Sequence, residues 1–214
     1  MPMNATSSVA PPGNRRKPDP DSRRREICDA AIELLAEDGV KGLSHLKVDR
    51  RLALPDGTTS FYFRTRSALV HALAQRVVQR DLSELTAATE FQANAAPGPS
   101  GLARLVMASA TGEPFARTKA RYELMLQANR DPDLAAVVHS NSDRFLGLIR
   151  DFVERMNPQG AAIPRMVLDQ QAYVLTQLIS GIMLAFTAGD GTITDAGELD
   201  RIMAAVVSGI ADAH

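Results

Sequence analysis

From residue 22 onward the apolar side chains of this chain recur at three- and four-residue intervals, in runs cut by Gly and Pro, and no run alternates one in two. That pattern asks for amphipathic helices and offers no strand. Ile27, Ala30, Ala31, Leu34 and Leu35 mark a first helix, with Asp21 or Ser22 as its cap and Gly39 as its stop. Ser44 can cap a short second helix that carries Leu46 and Val48 inward and Lys47, Arg50 and Arg51 outward. Pro55 suits the first turn of a third helix, Asp56 to Phe63, because the N–H it lacks is not needed there. Thr65 can cap a long fourth helix striped by Leu69, Val70, Leu73, Val77, Val78, Leu82 and Leu85. Further helices are predicted over 102–110, 115–130, 133–156, 164–188 and 195–211, so the fold class is all-α, with about nine helices.

The same punctuation predicts the organisation. Residues 1–21 read as a disordered arm, 22–66 as a three-helix head, 67–93 as a connecting helix, 94–101 as a linker and 102–214 as a larger helical body. The start lacks the apolar core of a signal peptide, and the longest apolar stretch, 172–188, is interrupted by polar residues and too short for a bilayer, so no membrane partner is expected. A single cysteine, Cys28, excludes an intramolecular disulfide and fits a reducing cytoplasm, where the protein is expected to work. Net charge is −1 but unevenly placed: 14 Lys/Arg against 9 Asp/Glu from Arg15 to Arg80, and 10 against 16 elsewhere. A basic head on an acidic body is the asymmetry expected when one end meets a polyanion.

Two short helices about three residues apart form a helix-turn-helix unit, whose second helix can lie in the major groove of double-stranded DNA. Pro55, Asp56, Thr58 and Thr59 would face the groove, and Gly57 would let the backbone come close. Ser44, Lys47, Arg50, Tyr62, Arg64 and Arg66 would contact phosphates, fixing register and giving salt-dependent affinity. Asp56 is either an acceptor from cytosine or an anion stabilising its helix start. Phe61 and Phe63 read as core of the head, and Cys28 as a packed side chain rather than a redox sensor. The Arg15-Arg16-Lys17 cluster is either a solvated tail or an arm for the minor groove.

No nucleophile elbow, phosphate loop, dinucleotide fingerprint or zinc-protease helix is present, and the four histidines lack metal-ligand spacing. No catalytic residue, metal or cofactor is therefore expected. An enzyme and a helical interaction module without DNA are the competing classes, and each would make the basic face of the head incidental.

The stretch GVKGLSHLKVDRRLALPDGTTSFYFRTRSAL, residues 39–69, resembles the TetR family of bacterial regulators. The likeness lies in layout: Gly39 closing helix one, Ser44 capping helix two, a tight turn over Leu52 to Pro55, Gly57-Thr58 in helix three, Phe61-Tyr62-Phe63, and Arg66 opening helix four. Tyr122 to Leu126 followed by Asn129 to Leu134 is similar to the family's body. Many members have Gly, Ser and Tyr where this chain has Ala53, Pro55 and Ser60. The resemblance implies a ligand-responsive regulator, usually a repressor, that binds a palindromic operator as a homodimer and is released by a small-molecule effector. It implies an effector pocket in the body, for which Met107, Tyr122, Met125, Leu126, Asn129, Asn141, Phe145, Gln171 and Leu175 are the candidates, a set suited to a mainly hydrophobic ligand. It also implies pairing through the last two long helices, with Leu178, Ile182, Phe186, Ile202, Val206 and Ile210 at the interface.

Overall fold

The computed structural model describes residues 19–90, 98–157 and 163–214. The Arg15-Arg16-Lys17 cluster, residues 94–97 of the expected 94–101 linker and the Pro158 to Gly160 turn lie outside the described residues. Ten helices make up the described residues, with no strand among them: α1 (Pro20–Gly42), α2 (His45–Arg51), α3 (Thr58–Tyr62), α4 (Arg66–Thr89), α5 (Gly101–Ala108), α6 (Gly112–Ala128), α7 (Pro132–His139), α8 (Ser142–Met156), α9 (Arg165–Thr187) and α10 (Ala196–Asp212). No helix among them is long and apolar enough to cross a membrane.

Side-chain caps set half of the helix starts. Ser44 accepts from the Lys47 N–H at 3.2 Å, Thr65 from Ala68 at 3.1 Å, Ser100 from Ala103 at 3.0 Å, Asp131 from Leu134 at 3.1 Å and Asp195 from Glu198 at 2.9 Å. Each satisfies one amide that the first turn of a helix leaves without a partner. The α1 start is a correction: Asp19, not Asp21 or Ser22, stands at the cap position, with Pro20 in the first turn where its missing N–H costs nothing. Gly39 breaks the helical conformation as expected, with φ 66° and ψ −177°, and α1 resumes briefly to Gly42. The helix expected over 133–156 is divided at Ser140 and Asn141, where a side-chain hydroxyl turns back onto the Val137 carbonyl at 2.7 Å and α8 begins afresh.

Helix three is also shorter than expected. Pro55 and Asp56 belong to the turn, Gly57 sits at φ 93°, and helical conformation begins only at Thr58. Ala53 takes φ 51°, a left-handed conformation that costs an alanine about 1–2 kcal/mol. The turn is therefore held tight against local preference, which points to support from elsewhere in the head.

Two buried clusters hold the molecule together. One joins α1, Leu43, Val48, Phe63 and the first half of α4 to Ala120, Leu124 and Ala128 of α6 and Leu134 of α7. The other joins Leu85, α5, α8, α9 and α10 around Leu102, Val153, Leu175, Leu199 and Met203. The first does not stop at residue 66: α1 packs chiefly against α6 and α4, so the head shares its core with the body. A shift of α6 is thus transmitted directly to α1, since close-packed interiors pass on displacement rather than absorb it.

Candidate functional site

The support for the tight turn is Asp49. Fully buried on α2, its carboxylate accepts from the Gly57 N–H at 2.8 Å, the Thr59 N–H at 2.8 Å and the Thr59 hydroxyl at 2.6 Å. One side chain thereby caps α3 and fixes its angle to α2, the role that a side chain at the helix start usually plays. One expectation changes as a result. Thr59 is completely buried against Asp49, so it cannot face a groove; Thr58 remains half-buried, with its hydroxyl donating to the Pro55 carbonyl at 2.7 Å.

Phe61 reverses the other way. Expected in the core, it is 81% exposed, whereas Phe63 is buried. Residues two apart on a helix point in different directions, and in a helix as short as α3 only one of the two rings can reach the core. Leu46, expected inward, is likewise 40% exposed. The outward face of α3 therefore presents Ser60 and Phe61, continued by Pro55, Asp56 and Gly57 at its start and by Arg64 just beyond its end. The Phe61 ring meets the edge of Tyr62 at 5.3 Å between centroids, which limits its swing.

Behind that face the helix is clamped. His45 Nε2 donates to the Phe63 carbonyl at 2.7 Å, a contact that requires the proton on Nε2 because a carbonyl only accepts. The Arg24 guanidinium lies over the Tyr62 and Phe63 rings at 5.6 and 5.4 Å and donates to the Tyr62 carbonyl at 3.3 Å. Arg66 donates to the Leu43 carbonyl at 3.1 Å and to that of Val40, tying the start of α4 to the end of α1. Arg66 thus has a structural partner as well as an exposed flank.

The remaining cations lie around the reading face. Lys47 pairs with Asp38 at 2.8 Å, an exposed contact of small worth that a phosphate can replace. Arg50 and Arg64 are exposed and have no ion pair among the described residues. Arg51, by contrast, is committed to Glu33 at 3.0 Å and Glu37 at 2.5 Å on α1. Cys28 is buried in the first core, and burial pushes its thiol up to about 11, which keeps it protonated and unreactive at neutral pH.

A second site lies in the body. A cavity of about 300 Å³ opens among α4, α5, α6, α8 and α9, walled mainly by apolar side chains such as Leu85, Val106, Phe145, Ile149 and Met183. Of the nine candidates from sequence, Met125 and Phe145 line it. The others do not. Gln171 and Leu175 are fully buried in the second core, where the Gln171 amide donates to the Val207 carbonyl at 2.7 Å and joins Asn157. Tyr122 is half-buried with its hydroxyl donating to the Ser180 carbonyl at 2.5 Å, Met107 packs against the second core, Leu126 and Asn129 face outward, and Asn141 stands at the start of α8.

Charged groups that sequence reading missed enter the cavity wall: Asp81 and Glu84 from α4, Arg117 and Arg121 from α6. Arg117 is almost wholly buried among three carboxylates, with Asp81 and Glu113 both at 3.0 Å and Glu84 on its third side. Arg121 reaches Asp81 at 2.7 Å; burial opposes its charge, but Asp81 outweighs this and its pKa stands above the ordinary value. The network continues outward through Glu113 to Arg80 at 2.8 Å, then to Asp29 of α1 at 3.7 Å, which Arg76 holds at 2.9 Å. Ion pairs therefore run unbroken from the cavity to the first helix of the head. The signal in sequence was a Glu113, Arg117, Arg121 spacing of four, placing all three on one face of α6.

On the opposite side, α9 exposes Met166, Tyr173, Gln177, Gly181 and Leu184 along one stripe, and α10 exposes Ala204, Ala205, Ser208 and Gly209. Ile182 and Phe186, expected at a dimer interface, are buried in the protein's own core, while Leu178, Ile202, Val206 and Ile210 are partly exposed at the margins of the stripe. A Cβ added at Gly181 or Gly209 would meet open space, so nothing among the described residues covers these positions.

Comparison with known proteins gives a consistent result. A family model described as tetracyclin repressor-like, C-terminal domain, matches residues 99–210, a little over half of the chain. The HTH-type transcriptional regulator BetI of Escherichia coli strain S88 is 26% identical over 170 residues, covering 76% of this chain and 80% of its own. Among solved structures, a transcriptional regulator from Rhodococcus sp. Rha1 superposes with a TM-score of 0.64 at 17% identity, covering 89% of this chain and 96% of its own. The multidrug binding protein EbrR, solved in complex with proflavin, has a TM-score of 0.54 at 22% identity, covering 86% of this chain and 99% of its own.

Proposed function

Because the chain belongs to the TetR family and is a transcriptional regulator with a ligand-binding domain, we propose that it is a repressor whose homodimer grips a palindromic operator and lets go when a small, mainly apolar molecule enters the cavity. The observation that carries the DNA reading is the outward face of α3, locked by Asp49 and presenting Phe61, with Lys47, Arg50 and Arg64 around it. Apart from its edge contact with Tyr62, the ring is left to water, which is costly for an aromatic surface. In a major groove its natural contact is the thymine methyl group, while Pro55, Asp56, Gly57 and Thr58 lie close to base edges and Ser44, Lys47, Arg50, Tyr62, Arg64 and Arg66 reach phosphates.

The homodimer reading is supported by the α9 and α10 stripe, where small residues beside Tyr173 and Leu184 let a second copy approach closely. Two-fold pairing would set two α3 helices about 34–36 Å apart on successive major grooves. Release follows from the shared core. A ligand that favours one placement of α6 favours the matching placement of α1, and shifts the population of DNA-competent heads by its differential affinity for the two.

The test is fluorescence anisotropy with DNA taken from upstream of the protein's own coding sequence. Phe61→Ala is expected to leave the melting temperature within about 2 °C of wild type, since an exposed ring contributes little to folding, and to weaken specific binding about tenfold while affinity for unrelated DNA stays the same. Equal loss on both DNAs would show that Phe61 does not read bases.

A further inference from the structure

The charges in the cavity wall are unequally occupied. All three nitrogens of Arg117 are engaged by carboxylates, Nε by Asp81 at 3.0 Å, Nη1 by Glu113 at 3.0 Å and Nη2 by Glu84. Arg121, one turn further along α6, is different. Its Nε donates to Asp81 at 2.7 Å, its Nη1 faces only the Met183 sulfur at 3.8 Å, and its Nη2 has no partner among the described residues. A thioether is a weak acceptor, and a guanidinium carries five N–H groups in a rigid fork, so most of the donors of Arg121 are unmatched. The side chain lines the cavity and keeps 24% of its surface accessible.

We infer that the molecule this cavity takes carries one anionic acceptor, a carboxylate or a group of the same geometry, on an apolar body, and that Arg121 receives it. The inference rests on reading the cavity as the effector site. A carboxylate pairs with two parallel N–H donors of such a fork and would satisfy both Nη1 and Nη2. A cation has less to meet, because both oxygens of Asp81 already accept from arginines and one oxygen of Glu84 serves Arg117, which leaves a single Glu84 oxygen without a partner among the described residues. The apolar remainder of the wall, from Leu85 and Val106 to Phe145 and Ile149, takes the body of the ligand. A cavity of about 300 Å³ corresponds to the liquid share of about ten water molecules, and so to a ligand of about ten non-hydrogen atoms.

Isothermal titration calorimetry of the full chain with octanoate, octanamide and octylammonium separates charge from apolar bulk at nearly constant size. Octanoate is expected to bind one per chain and at least tenfold more tightly than either of the others, the usual worth of a charge-assisted pair in a partly buried site. Arg121→Gln is expected to abolish that preference while octanamide binds as before, and Arg121→Lys to keep part of it because the charge remains but the fork does not. Octylammonium binding as tightly as octanoate, or an unchanged carboxylate preference in either variant, would overturn the inference. Octan-1-ol, uncharged and with nine non-hydrogen atoms, distinguishes the two levels of failure. Stoichiometric octanol binding without any octanoate binding overturns the anion inference and leaves the cavity reading standing, whereas absence of binding by all four probes overturns both.

Discussion

Asp49→Ala is expected to be the most damaging single change in the head, destabilising it by about 2–4 kcal/mol and lowering the melting temperature by roughly 5–15 °C. The Thr59 N–H and hydroxyl that the carboxylate accepts lie where water does not reach, because Thr59 and Asp49 are both fully buried. Removing the acceptor leaves a buried donor unmet, which costs more than the hydrogen bond itself contributes. The Gly57 N–H is exposed and can turn to water, so its loss adds little. Beyond stability, the turn holds Ala53 in a left-handed conformation, and without Asp49 the start of α3 loses its tie to α2, leaving the His45 contact with the Phe63 carbonyl at the far end of the helix. Specific DNA affinity is therefore expected to fall by more than tenfold at temperatures where the variant is still folded. Asp49→Asn should fall between, since one oxygen remains but an amide nitrogen is brought against an N–H donor. A variant Asp49→Ala with wild-type melting and wild-type affinity would mean that the position of α3 is set by its own packing.

The second large effect is expected at Arg117. Breaking a buried ion pair by removing one partner typically costs about 3–5 kcal/mol. Glu84 and Glu113 keep 34% and 45% of their side-chain surface accessible and are screened accordingly, so about 2–3 kcal/mol is the fitting estimate for Arg117→Met, which preserves apolar bulk. The cost comes from Asp81 and Glu84, neighbours on one face of α4, left with only Arg121 bonded to Asp81 to offset them. Adding Glu84→Gln to Arg117→Met should then recover part of the stability, a coupling that a double-mutant cycle measures directly. The same variant should bind DNA as well as wild type but release it less completely with ligand, because the ion pairs from cavity to Asp29 are cut at their centre. Additive effects of the two substitutions would show that the network is not cooperative.

Much of the fold was legible because it depends on local chemistry. Ser44 and Thr65 announce their helices by side-chain capping, and a 3.6-residue stripe identifies α4 whatever it packs against. The break before α8 was also readable in principle, in the run His139-Ser140-Asn141-Ser142, but an apolar period on both sides concealed it. What was not legible depends on the rotation of one helix against another. Thr58 and Thr59 are chemically alike, and only the carboxylate of Asp49, ten residues earlier, decides which one is buried. Phe61 and Phe63 read alike by composition, although a two-residue separation already implied that they diverge.

The cavity shows the same limit more sharply. Side chains that looked suited to a ligand, such as Gln171 and Tyr122, meet backbone carbonyls of neighbouring helices instead. The charged residues that do line it have no local signature, because arginines spaced by four on a helix are equally the mark of a solvated face. Their burial is explained by carboxylates from α4 separated from them by more than thirty residues, which no local pattern displays.

The central claim is that two copies of this chain read DNA through paired α3 helices. Hydroxyl-radical footprinting of the protein on its own upstream region, with and without octanoate, addresses it most directly. Two protected patches with two-fold related sequences, centred one helical turn apart and lost together as ligand is added, are the result this account predicts. A single unpaired patch, or protection spread evenly over unrelated sequence and indifferent to ligand, would contradict it.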